Sequence, residues 1–153
     1  MSKGAVSVLE EFQEKFRVHS LLVRQFEHWY WSVRPVQCTL GASILSLKRP
    51  AERFSALSAP EAAELAATSN IMEKTLSEAF QYDKMNYLML MMVDPQVHFH
   101  VVPRYATKRS FGAQEWSDAG WPKLPVLAGE PQDEETLNAV AERLRSLLRE
   151  SRR

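Results

Sequence analysis

The sequence predicts an α+β fold: a central antiparallel sheet of about five strands, one long helix packed on one face, and a flanking helix towards each end of the chain. Three observations point there. Short runs rich in aromatic and β-branched residues, such as His28 to Val33, end at prolines, as strands do. Ser58 to Phe80 joins a helix-start signature to apolar residues three or four apart. The run from Gln96 to Val101 alternates polar and apolar side chains, which a strand sends to opposite faces.

Taken in order, Val8, Leu9, Phe12, Phe16, Leu21 and Leu22 keep an approximate helical period with charged residues between them, and predict an N-terminal helix. His28-Trp29-Tyr30-Trp31-Ser32-Val33 reads as a strand closed by Arg34-Pro35. Gly41 opens a second strand, Ala42 to Leu47, closed by Lys48-Arg49-Pro50. Ser58-Ala59-Pro60-Glu61 has the form of a capping box, and Ala62, Leu65, Ser69, Met72, Leu76, Ala79 and Phe80 follow at helical spacing. Met85 to Val93 is a nearly continuous apolar run, read as a buried strand of core-packing methionines that leads into the histidine-bearing strand. Residues 106–132, with Phe111, Trp116 and Trp121 among glycines and prolines, read as a long loop whose aromatics pack on something. Asp133 caps a last helix over 133–150, with Leu137, Val140, Leu144, Leu147 and Leu148 on one face. Glu134, Glu135, Arg149, Arg152 and Arg153 complement its dipole.

Composition narrows the function. The 153 residues fit one domain, and a 45% hydrophobic content can fill its core. Nineteen basic residues balance nineteen acidic ones, so no net positive field favours DNA or RNA polymers. The single Cys38 excludes an internal disulfide and suits a reducing compartment. There is no apolar run long enough for a membrane span, and Met1-Ser2-Lys3-Gly4 lacks a signal-peptide layout. Cytoplasmic residence is the expectation.

The chemistry concentrates in Asp94-Pro95-Gln96-Val97-His98-Phe99-His100-Val101-Val102-Pro103-Arg104-Tyr105. Val97, Phe99 and Val101 fall on one face, and Gln96, His98 and His100 on the other. Two imidazoles and an amide on one strand face are a load suited to proton transfer, nucleophilic attack or metal ligation.

This run resembles the histidine-triad motif, His-x-His-x-His, of a superfamily of nucleotide hydrolases and transferases. It is closest to the fragile-histidine-triad branch, whose last His precedes two aliphatic residues, Pro and Arg, as in His100-Val101-Val102-Pro103-Arg104. The resemblance spans about residues 26–105, including Arg49-Pro50-Ala51-Glu52-Arg53-Phe54 before the long helix. Three departures stand out. Gln96 occupies the first triad position, Ala42 the place of a further supporting His, and a short apolar Met91 to Pro95 the place of a phosphate-gripping loop.

The resemblance implies that His98 attacks a nucleotide α-phosphorus and that water resolves the nucleotidyl-histidine. His98 would donate its other ring N–H to a backbone carbonyl near Gln96. His100 would donate to a phosphate oxygen or protonate the leaving group, with Gln96 supplying an amide donor at the other end of the site. Arg104 and Asn86 are the candidate nucleotide or phosphate contacts, whereas Lys108 and Arg109 read as solvated loop charges. The implied substrate is a small nucleotide, a dinucleoside polyphosphate or a nucleoside-monophosphate conjugate. No cofactor is implied beyond Mg²⁺ on the substrate's phosphates, and the assembly expected is a homodimer. Two alternatives stay open. One is a nucleotide-binding protein with little catalysis, because the residues around the nucleophile are thinned out. The other is a metal site on His98 and His100 with a third ligand from His19, His28 or Asp94. Otherwise His19 and His28 read as ordinary core or boundary histidines.

Overall fold

The computed structural model describes residues 7–152. The expectation drawn from Met1 to Gly4, and Arg153, lie outside them. Ser7 caps the first helix, α1 (Val8–Lys15), by accepting a hydrogen bond from the Glu10 N–H. The helix is shorter than the apolar spacing predicts. It stops at Phe16, and Arg17 takes a positive φ of 52° while its guanidinium pairs with Glu134. Val18 and Leu21 then reach the interior from a turn, so their helix-like spacing does not reflect a helix.

Five strands follow: β1 (Leu22–Gln25), β2 (Trp29–Val33), β3 (Ser43–Leu47), β4 (Lys84–Leu88) and β5 (His98–Arg104), all paired antiparallel in the order β1-β2-β3-β5-β4. The central position of β3 explains its wholly buried run Ser-Ile-Leu-Ser-Leu. β4 corrects the sequence expectation twice. It is a half-exposed edge strand, and it ends at Leu88; Met89 to Val97 form a loop with Leu90, Met92 and Val93 at the surface.

One face of the sheet carries Trp29, Trp31, Leu45, Leu47, Val97 and Val101 against two helices, α2 (Ala59–Phe80), through Met72, Leu76 and Phe80, and α3 (Glu134–Glu150), through Leu137, Val140, Leu144 and Leu148. The capping box is present. The Ser58 hydroxyl accepts from the Glu61 N–H at 3.3 Å, and the Glu61 carboxylate accepts from the Ser58 N–H at 2.8 Å. Glu61 also receives two bonds from Arg49, which holds its carboxyl down at about 2 despite burial. Arg145 of α3 donates to the Leu22 carbonyl at 2.8 Å and fixes that helix to the sheet edge.

The loop at 106–132 contains an unpredicted hairpin, β6 (Arg109–Phe111) and β7 (Gln114–Trp116), turned at Gly112 with φ of 59°. Trp116 is buried and its indole N–H donates to the Gln37 carbonyl at 3.0 Å. Arg109 is not a solvated charge: it donates to the Phe80 and Gln81 carbonyls at the end of α2 and lies over the Tyr105 ring. Among the described residues no helix is long and apolar enough to cross a membrane.

Candidate active site

The second face of the sheet is where the polar side chains of β5 emerge. Register places His98 opposite Ser46 of β3, and His100 between Ile44 of β3 and Leu88 of β4. Strand parity therefore holds both imidazoles on one face, as the alternation predicts. This face is not open. α1 lies across it, with the Phe12 ring centred 4.7 Å and the Phe16 ring 5.9 Å from His98, and Phe16 6.1 Å from His100. His98 is 1% exposed and His100 6% exposed.

Burial decides the protonation of the pair. Loss of water pushes His98 below its ordinary value, and burial followed by the neighbouring His98 holds His100 at about 4. Both rings are neutral at pH 7. The Nδ1 of His98 lies 2.6 Å from the Gln96 carbonyl oxygen, which can only accept, so Nδ1 carries the proton and Nε2 the lone pair. That Nε2 is 3.3 Å from the Nε2 of His100. A favourable contact requires His100 to donate from Nε2. Its Nδ1, buried without a hydrogen-bond partner, then carries the second lone pair.

Gln96 does not join the imidazoles as an active-site donor. Its amide is fully buried and committed to the backbone, donating to the Leu47 and Arg49 carbonyls at 3.2 and 2.8 Å and accepting from the Ala51 N–H at 3.3 Å. The residue precedes the regular strand, and its side chain knits β5 to the end of β3, leaving its carbonyl to orient His98.

Arg104 and Asn86 are likewise placed elsewhere. The Arg104 guanidinium is buried in a two-bond pair with Asp118, at 2.7 and 3.1 Å, and donates at 2.7 Å to the Asn86 side-chain carbonyl. Its charge is neutralised, and both residues border a separate recess beside Pro122 and Lys123 at the β4 edge. The metal alternative gains no third ligand: among the described residues no three His, Cys, Asp or Glu side chains converge, and His19 instead stacks edge-on against Tyr30.

His98 and His100 border a cavity of about 600 Å³ whose walls are mostly apolar, built from Phe16, the Leu90 to Val93 loop and Leu127. Two cations at this cavity were not singled out from the sequence. Lys15 of α1 bonds Asp94 at 2.8 Å and so ties the helix to the loop before β5. Arg34 follows β2, its backbone N–H donating to the Ala42 carbonyl at 2.9 Å, and its side chain lines the cavity. The available signal was parity, since Tyr30, Ser32 and Arg34 alternate onto the histidine face once β2 and β3 are paired.

No protein-family model and no curated protein matches the chain in sequence. Solved structures match its shape. A hypothetical histidine triad nucleotide-binding protein from Sulfolobus tokodaii superposes with a TM-score of 0.69 at 16% identity, over 87% of this chain and 86% of that one. A histidine triad protein from Sinorhizobium meliloti gives 0.69 at 22% identity, over 89% and 93%. The diadenosine triphosphate hydrolase of Plasmodium falciparum gives 0.66 at 13%, over 86% and 78%. The five-stranded sheet and its helices agree with these architectures, and the chain has the histidine-triad fold.

Proposed function

We propose that the protein binds nucleotides and hydrolyses or transfers a nucleotidyl group from a phosphoanhydride or phosphoramidate, through a covalent intermediate on His98. The observation that carries this reading is the 2.6 Å contact between His98 Nδ1 and the Gln96 carbonyl, which leaves a neutral imidazole with its Nε2 lone pair at the cavity wall. That lone pair attacks the α-phosphorus. An Nε2–P bond forms as the bond to the leaving group breaks; the His100 Nε2–H turns from the His98 lone pair to hydrogen-bond the leaving group, which departs with a proton from solvent. Water, or another acceptor, then attacks the phosphorus and loses its proton to solvent as the Nε2–P bond breaks and His98 recovers its neutral ring. Mg²⁺ in this reading travels with the substrate's phosphates. The similarity in fold to a diadenosine triphosphate hydrolase supports the substrate class. The free side of edge strand β4 gives a second copy a place to extend the sheet as a two-fold dimer in the cytoplasm.

A second reading, nucleotide binding with little turnover, draws on the Phe12 and Phe16 cover over His98. One screen separates the two. Dinucleoside polyphosphates and nucleoside phosphoramidates are incubated with the wild type and with His98→Ala. Product formed by the wild type alone supports catalysis, whereas binding without product from either protein supports the second reading.

A further inference from the structure

Arg34 is a buried cation without an anion. It is 9% exposed, and among the described residues no carboxylate pairs with it: Asp94 is taken by Lys15 and Asp118 by Arg104. Its Nη1 donates to two backbone carbonyls, Val36 at 3.0 Å and Leu127 at 2.9 Å, which fix the plane of the guanidinium but do not neutralise it. Its Nε is buried with no partner, and Nη2 makes no hydrogen bond among the described residues. A buried guanidinium with an idle donor edge is costly unless an anion completes it.

The surroundings say what kind of anion fits. Arg34 lines the same cavity as His98 and His100, which are neutral and offer no counter-charge. Nη2, the guanidinium nitrogen that is neither bonded nor fully buried, is free to donate a charge-assisted hydrogen bond to an oxygen of a phosphate.

We propose that Arg34 is the phosphate-binding residue of this cavity, receiving a nucleotide phosphate on its Nη2 while Val36 and Leu127 hold Nη1. The proposal rests on the nucleotide reading above and gives it the phosphate contact that Arg104, closed off by Asp118, does not supply. It also accounts for the apolar Met91 to Pro95 loop: with a buried guanidinium opposite, phosphate recognition does not need a polar loop there.

The test is calorimetric titration of the wild type, Arg34→Gln and Arg34→Lys with AMP, adenosine and inorganic pyrophosphate. The wild type should bind AMP more tightly than adenosine. Arg34→Gln should weaken AMP and pyrophosphate by roughly 10- to 100-fold and leave adenosine within about twofold, with Arg34→Lys in between. Equal loss for AMP and adenosine, or no loss for AMP, overturns the assignment. Arg34-dependent binding of pyrophosphate with no affinity for AMP or adenosine upholds the phosphate site and removes the nucleotide reading. Tight AMP and adenosine binding indifferent to Arg34 does the reverse, and a wild type that binds none of the three overturns both. Should the variants fail to fold, the Arg34 Nη2–H resonance of the unaltered protein decides. It should move on addition of pyrophosphate, and a stationary resonance at saturating pyrophosphate overturns the proposal.

Discussion

The Phe12 ring sits 4.7 Å from the His98 imidazole, centre to centre, and removes from that imidazole the water that an uncovered sheet face would give it. One apolar contact thus stabilises the fold and keeps the ring neutral.

Replacing that ring should separate the two effects. Phe12→Ala is expected to cost about 3 kcal/mol of stability, in line with large-to-small changes in cores. It should also raise the His98 value towards the ordinary one near 6.5, because water regains the ring. Denaturant unfolding and an NMR pH titration of the His98 ring check both. A lost stability with an unmoved titration would show that Phe12 does not set the protonation of His98.

The neutral state of His100 makes stability depend on pH. Its folded value of about 4 lies below the unfolded value near 6.5, so the unfolded chain binds more protons between them. The contribution is therefore complete above about pH 6.5 and is lost as pH falls towards 4, by at most about 3.5 kcal/mol at roughly 1.4 kcal/mol per unit. His98, also lowered, adds in the same direction. Urea midpoints of the wild type should fall between pH 7 and pH 5, and His100→Gln should flatten that fall. Glu61, held at about 2, acts in a separate window below about pH 4.5 and does not interfere. Wild-type midpoints that are equal at pH 7 and 5 would contradict buried neutral rings.

Gln96 is expected to act on stability. Its amide satisfies backbone groups of Leu47, Arg49 and Ala51 in the buried interior, so Gln96→Ala should cost about 2–4 kcal/mol through unpaired groups. Gln96→His cannot reproduce two donors and an acceptor from one neutral ring, and should lower the melting temperature as well. A Gln96→His protein with unchanged melting temperature and raised turnover would return this residue to the catalytic group.

Much of this architecture was legible in the chain. The α2 capping box, the strand parity of His98 and His100, and the carbonyl near Gln96 all depend on local rules of spacing and hydrogen bonding, and the structure keeps them. What local rules could not carry was partnership across the sheet. The apolar Met85 to Val93 run does not reveal that β4 is an edge, or that its second half lines a cavity. Arg104 reads as an available cation until Asp118, in the long loop, is folded against it. Arg34 reads as the end of a strand until β2 is laid beside β3. The spacing that ran α1 on to Leu22 counted residues buried from a turn as if they continued a helical face.

The most direct measurement is mass spectrometry of the protein quenched in alkaline denaturant during turnover of a nucleoside phosphoramidate, conditions chosen to preserve a phosphorus–nitrogen bond. The expected result is a nucleoside-monophosphate adduct on the peptide carrying His98. It should be absent from His98→Ala, and in His100→Ala it should form more slowly by on the order of 10²–10³ if that ring supplies the donor. Turnover without any adduct, and undiminished by His98→Ala, would contradict the assignment of His98 as the nucleophile.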